Sequence, residues 1–135
     1  NGLPQRAVDA GDPYPGRVDA TIAAVLPKLR APVSRSRAYQ SRVGREKWLE
    51  PDLLEEIRRL AAAGAKRILV VPVSFVSDHV ETLFKIGVQA AEFARSKGVE
   101  RFECTEGLND DAGFLDALAD VYVTARERSS ARSSS

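Results

Sequence analysis

The residue types best equipped for chemistry gather in one short segment, Phe75-Val76-Ser77-Asp78-His79-Val80-Glu81-Thr82-Leu83, which holds the only histidine of the chain. An imidazole takes up a proton near neutral pH, and a carboxylate nearby can bind a cation or pass that proton onward. His79 and Glu81 are separated by one residue, Val80. On a regular helix such a pair does not share a face, so the two converge only where the helix start is irregular. Ser77 or Asp78 suits the capping position, and Glu81 near the first turn complements the helix dipole. A plainer reading stands beside the catalytic one, with His79 packed at the helix start and Glu81 a solvated dipole partner.

A second group lies upstream. Trp48 follows Gly44 in a polar loop, where an aromatic surface could stack on a flat ligand or fold onto the core. Gln40, Ser41 and Arg42 would line the same edge, and the Arg42 fork suits an acidic group on that ligand. Tyr14, within Asp12-Pro13-Tyr14-Pro15, is first of all a turn residue and secondarily a pocket residue. Cys104 reads as a small buried hydrophobe. The chain has neither a phosphate-cradling glycine motif nor a nucleophile elbow.

These residues must be placed by secondary structure. Val18, Ile22, Val25, Leu26 and Leu29 recur at helical spacing and predict a helix over 15–30, with Pro27 kinking or ending it. A basic loop over 30–37 leads into a short strand at 38–43. Pro51 opens a helix that carries Leu53, Leu54, Ile57 and Leu60 on one face and stops at Gly64. The Val-rich run over 67–75 predicts a parallel strand buried on both faces. A long helix over 77–97, closed by Gly98, and a strand over 101–105 follow. Asn109 or Asp110 caps a last helix with Phe114, Leu115, Leu118 and Val121 inward. The low-complexity tail 129–135 is expected to be disordered. Alternation of this kind predicts an α/β domain, a parallel sheet with helices on both faces. Ligands of such sheets sit at the carboxyl ends of the strands, which is where the His79 segment falls.

Composition narrows the function. With 135 residues the chain makes at most one ordinary domain, and 20 Lys plus Arg against 19 Asp plus Glu give a net charge of +1, no field that points to nucleic acid. One Cys and one His exclude an internal disulfide and a zinc site built from Cys and His clusters. The longest apolar stretch, 68–73, is far short of the ~20 residues of a membrane-spanning helix, so a soluble chain is expected. The opening Asn1-Gly2-Leu3-Pro4, without an initiator Met, reads as the end of a strand belonging to something longer.

Taken in order, Gly2-Leu3-Pro4, Gly11-Asp12-Pro13-Tyr14-Pro15, Tyr39-Gln40-Ser41-Arg42-Val43-Gly44, Trp48-Leu49, the run from Val71 through Leu83, and Ala117-Leu118-Ala119-Asp120 resemble the C-terminal half of ferrochelatase, a class II chelatase, from residue 1 to about residue 123. The resemblance implies a Rossmann-like chelatase domain over 1–128, lacking its first strand, and an enzyme of haem synthesis. That enzyme removes two pyrrole protons from a porphyrin, protoporphyrin or coproporphyrin, and inserts ferrous iron as substrate, with no tightly bound cofactor. It assigns His79 and Glu81 to catalysis and to the metal path, and Trp48, Gln40, Ser41, Arg42, Ser77 and Tyr14 to the porphyrin. It implies an N-terminal chelatase domain as partner, or a second copy of the chain rebuilding the cleft, and a cytoplasmic protein with peripheral membrane contact. Where the family has a metal-handling His before Gly-Leu-Pro this sequence has Asn1, and an amide is no base near neutral pH. Where the family continues with acids after Glu81 it has Lys85, Gly87 and Gln89, and Arg45 and Glu50 replace the Pro and Gly that flank the tryptophan. These departures motivate an alternative, a porphyrin- or partner-binding module without metal insertion.

Overall fold

The computed structural model describes residues 2–30, 33–40, 42 and 44–133. The chain begins with a short helix α1 (Gln5–Asp9) and then α2 (Tyr14–Val25), whose start is fixed by the Asp12 carboxylate accepting the Tyr14 N–H at 2.8 Å. The helix expected over 15–30 tightens at Leu26–Lys28 into a 3₁₀ turn, because Pro27 has no N–H for the Ala23 carbonyl. Helix α3 (Leu53–Ala62) is capped by Asp52, whose Oδ1 accepts the Leu54 N–H at 3.0 Å, and ends at Gly64 with φ +91°. It buries Leu53 and Ile57, with Leu60 half-buried and Leu54 exposed.

Strands β1 (Arg67–Val70) and β2 (Arg101–Cys104) pair in parallel, Ile68 opposite Phe102 and Val70 opposite Cys104. Between them runs one helical rod, a π-helical segment (Glu81–Ala90) passing into α4 (Ala91–Ser96), closed by Gly98 at φ +86°. The core joins the apolar faces of α3 and this rod, through Leu53, Ile57, Ile86, Ala90, Ala94 and Val99, to the strand residues Ile68, Val70, Phe102 and Cys104. The α/β arrangement with parallel strands holds. Helical cover lies on the Ile68 face, and Leu69 on the opposite face is 60% exposed.

Several expected elements differ. The strand of 67–75 stops at Val70, since its partner ends at Cys104 and Pro72 cannot donate to a ladder. Segment 38–43 forms no strand among its described residues; Tyr39 makes a single parallel bridge to Asp52, donating its N–H to the Pro51 carbonyl at 2.9 Å. The last helix, α5 (Ala112–Ser133), is capped by Asp111 rather than Asn109 or Asp110, its Oδ1 accepting the Phe114 N–H at 3.1 Å. Of the residues expected to face inward, Phe114 is half-buried while Leu115, Leu118 and Val121 are exposed, because α5 adds nothing to the buried cluster. Helix α5 runs on through the Ser-rich stretch to Ser133, with neither Gly nor Pro after Gly113 to break it. Residues 134–135 lie outside the described residues.

One charge is set into this scaffold. Glu56 on α3 is 6% exposed and accepts from Arg59 Nε at 2.9 Å. The Arg59 guanidinium holds its carboxyl below the usual range, against the opposing effect of burial. A depressed folded-state pKa contributes stability that is complete above the unfolded value, near 4.5, and is lost as pH falls through the folded value. The thermal midpoint is therefore expected to drop more steeply as pH falls below about 5 in the wild type than in Glu56→Gln. Equal slopes for the two proteins would contradict this assignment.

Candidate functional site

The segments leaving the carboxyl ends of β1 and β2 run side by side and are sewn together. Asn109 donates its backbone N–H to the Val76 carbonyl at 2.9 Å, and its side-chain Oδ1 accepts the Asp78 N–H at 2.9 Å. Its Nδ2 donates to Asp78 Oδ2 at 2.9 Å, while Asp78 Oδ1 accepts the Gly107 N–H at 3.0 Å. The Asn109 amide, followed by the Gly107 N–H, holds the Asp78 carboxyl below its ordinary range. Asp78 is thus committed to the neighbouring loop, and neither it nor the exposed Ser77 provides the helix cap expected of them.

That place is taken by His79. Its Nδ1 accepts the Glu81 N–H at 3.1 Å, and its own backbone N–H donates to Thr82 Oγ1 at 3.0 Å. A backbone amide only donates, so a neutral His79 carries its proton on Nε2. Phe75 packs against the imidazole edge-on, ring centroids 4.7 Å apart. The helix start is irregular, His79 preceding the helix and Glu81 opening its π-helical segment, and the imidazole meets the backbone amide of Glu81. Over that segment Thr82, Ile86 and Ala90 are buried at a spacing of four while Leu83, Phe84 and Val88 are exposed, a wider turn than the 3.6-residue repeat.

The Glu81 carboxylate is held on both oxygens. Lys85 Nζ lies 2.7 Å from Oε1, and Gln40 Nε2 reaches Oε2 at 3.4 Å across 41 residues of sequence. Gln40 is brought there by its neighbours, its carbonyl accepting the Gly2 N–H at 2.7 Å and Tyr39 being anchored to the start of α3. Tyr39 is 4% exposed, and burial raises its phenol pKa. Tyr14, ring centroid 6.5 Å from that of Tyr39, donates its hydroxyl to Ser74 Oγ at 2.9 Å. The half-buried Trp48 bridges Pro4 in a loop laced to the N-terminal segment, Gln5 N–H to the Lys47 carbonyl at 2.8 Å and Leu49 N–H to the Leu3 carbonyl at 2.9 Å. Arg42 is turned to the start of α3, 3.6 Å from Asp52 and 3.7 Å from Glu55. Ser41 and Asn1 lie outside the described residues.

Of the site residues read from the sequence, His79, Glu81 and Gln40 are therefore gathered at the carboxyl end of β1, with Ser77 alongside. Asn109 was legible only as a helix cap, and Lys85 only as a charge out of place. Loops that follow adjacent parallel strands are neighbours, a signal from which Asn109 could have been found. Among the described residues no three His, Cys, Asp or Glu side chains are grouped to hold a metal ion. No helix among them is long and apolar enough to cross a membrane.

A family model for ferrochelatase matches residues 1–126. The chain belongs to the ferrochelatase family. It is 43% identical over 125 residues to the ferrochelatase of Geobacter sp. (strain M21), covering 93% of this chain and 39% of that protein. It is 45% identical over 121 residues to the ferrochelatase of Geotalea uraniireducens, covering 90% of this chain and 38% of that protein. Against the ferrochelatase of Thermosynechococcus vestitus it is 43% identical over 126 residues, 93% of this chain and 32% of that protein. The chain thus spans less than two fifths of the length of these ferrochelatases.

Proposed function

We propose that the protein inserts ferrous iron into a porphyrin, protoporphyrin or coproporphyrin, in haem biosynthesis, with this chain as the C-terminal domain of the enzyme. The observation that carries this reading is the Gln40–Glu81 contact at 3.4 Å, where the segment given to the porphyrin by family resemblance meets the carboxylate given to the metal. Metal insertion exchanges two pyrrole protons for Fe²⁺, so the site must accept protons and tolerate a dication. Glu81 can do both as a carboxylate. His79, whose Nδ1 is occupied by the Glu81 N–H, offers its Nε2–H as a donor and takes a further proton only by giving up that bond. The family resemblance further gives Trp48, Ser77, Tyr14, Arg42 and Ser41 to porphyrin binding, Arg42 having first to leave its ion pairs with Asp52 and Glu55, in a cytoplasmic protein that meets a membrane surface only peripherally. The remainder of the cleft is supplied by an N-terminal chelatase domain or by a second copy of the chain.

Trp48 is the only tryptophan, so its fluorescence reports on the proposed cleft. Titration with protoporphyrin is expected to quench it saturably. Saturable quenching by protoporphyrin that a non-porphyrin dye of equal hydrophobicity reproduces would overturn the reading.

A second reading, a porphyrin-binding module that does not insert metal, is favoured by Lys85, whose ammonium 2.7 Å from Glu81 Oε1 already neutralises the carboxylate an incoming dication would need. If the site inserts iron, Lys85→Gln is expected to raise the insertion rate by up to about fivefold, the equivalent of ~1 kcal/mol for a partly exposed pair. An unchanged rate would show that the ammonium yields to the metal without cost.

A further inference from the structure

We propose that Asn109, from the loop after β2, is a positioning residue that aims His79 and Glu81. The proposal rests on the function proposed above. The residues assigned to the reaction belong to one strip of backbone, 77–82, and among the hydrogen bonds described, the side-chain bonds that tie this strip to the loop after β2 run through Asp78.

The Asn109 amide is suited to this task because it can donate and accept at once. Its Oδ1 accepts the Asp78 N–H and its Nδ2 donates to the Asp78 carboxylate, both at 2.9 Å, so both functions are used on one residue. Asn109 itself sits at φ +48°, a left-handed conformation that Asn tolerates better than most residues. Two residues earlier, Gly107 closes the gap: a Cβ there would stand 3.0 Å from the Asp78 nitrogen and the Ser77 carbonyl carbon. Asp78 is in turn joined to Thr82, whose Oγ1 lies 3.2 Å from Asp78 Oδ1 and accepts the His79 N–H at 3.0 Å. The chain of contacts therefore runs from Asn109 through Asp78 and Thr82 to the backbone of His79, whose ring receives the Glu81 N–H. Loss of the amide frees the strip that sets both side chains, while the core around Ile57 and Ala90 is untouched.

The test compares Asn109→Gly, which keeps the positive φ, with Asp78→Asn, Asn109→Asp and the exchanged pair Asp78→Asn/Asn109→Asp. In the exchanged pair the amide now at position 78 donates to the carboxylate now at position 109 and still accepts the Gly107 N–H, so the clamp re-forms with its polarity reversed. With one histidine in the chain, ¹⁵N NMR reads the His79 tautomer directly, under conditions where the imidazole is neutral, and hydrogen exchange reads the Glu81 amide. Asn109→Gly and Asn109→Asp are expected to speed Glu81 amide exchange by roughly tenfold or more and to mix the tautomers, with the exchanged pair returning most of the wild-type signal. In the longest natural form of the protein the same single variants are expected to lower the kcat of iron insertion about tenfold with porphyrin KM unchanged, again with recovery in the exchanged pair. Tautomer and amide exchange unchanged in Asn109→Gly and Asn109→Asp would overturn the proposal, as would losses that the exchanged pair does not restore. A wild type that inserts no metal would overturn the functional reading instead, while the NMR measurement would still decide whether Asn109 positions the strip.

Discussion

Glu81→Gln is expected to slow iron insertion by about 10²–10⁴-fold, the range lost when a positioned proton acceptor is removed. The amide keeps the size of the side chain and can still meet Gln40, but it holds no charge for a dication and takes no proton near neutral pH. The ion pair to Lys85 at 2.7 Å is lost as well, leaving an ammonium beside the metal route, so the effect should exceed that of Lys85→Gln and have the opposite sign. Porphyrin binding, read from Trp48 quenching, should change little. Retention of full insertion activity by Glu81→Gln would remove the carboxylate from the mechanism. Equal loss of binding and turnover would place Glu81 among the porphyrin contacts.

The largest expected effect on stability lies at Ile57. It is 1% exposed at the centre of the cluster that joins α3 to the helical rod and the two strands. Ile57→Ala removes buried methylenes and leaves a cavity, a cost of about 2–5 kcal/mol. Against a total of roughly 5–15 kcal/mol for a domain, that lowers the thermal midpoint by roughly 10 °C or more. Leu69→Ala, on the strand face that is 60% exposed, is the natural comparison and is expected to cost under about 0.5 kcal/mol. Comparable losses in the two variants would mean that the Leu69 face is covered in solution.

The elements legible in the sequence were those whose signals are local. Pro51, the Leu53 and Ile57 spacing and Gly64 point to α3 without reference to any other part of the chain, and the structure follows them with the start moved past Pro51 to Leu53, behind the Asp52 cap. Runs 67–70 and 101–104 were readable as strands because β-branched and aromatic residues fall there, but their lengths were not, since a strand ends where its partner ends. The π-helical register of 81–90 leaves the composition of the segment unchanged and appears only in which residues are buried, Thr82 rather than Leu83 or Phe84. In α5 the apolar positions 115, 118 and 121 were placed inward on periodicity alone, and burial depends on a facing element that periodicity cannot supply.

The same division runs through the site. His79 and Glu81 could be singled out because their types are scarce and their place after a strand is informative. What holds them, the Asp78–Asn109 exchange of hydrogen bonds across 31 residues and the Gln40 contact across 41, is a property of the fold. The structure also corrects the role of Asp78, from a helix cap to one half of a clamp, and gives the capping place to the imidazole of His79.

The measurement that bears most directly on the account is anaerobic incubation with protoporphyrin and Fe²⁺, and in parallel with Zn²⁺, on the chain and on its longest natural form, followed by porphyrin absorbance and fluorescence. The longest form is expected to convert the free-base porphyrin spectrum to that of the metalloporphyrin, and Glu81→Gln to abolish most of this conversion. Porphyrin bound with its free-base spectrum unchanged, in the presence of either metal, would contradict this and leave a porphyrin-binding module in place of a chelatase.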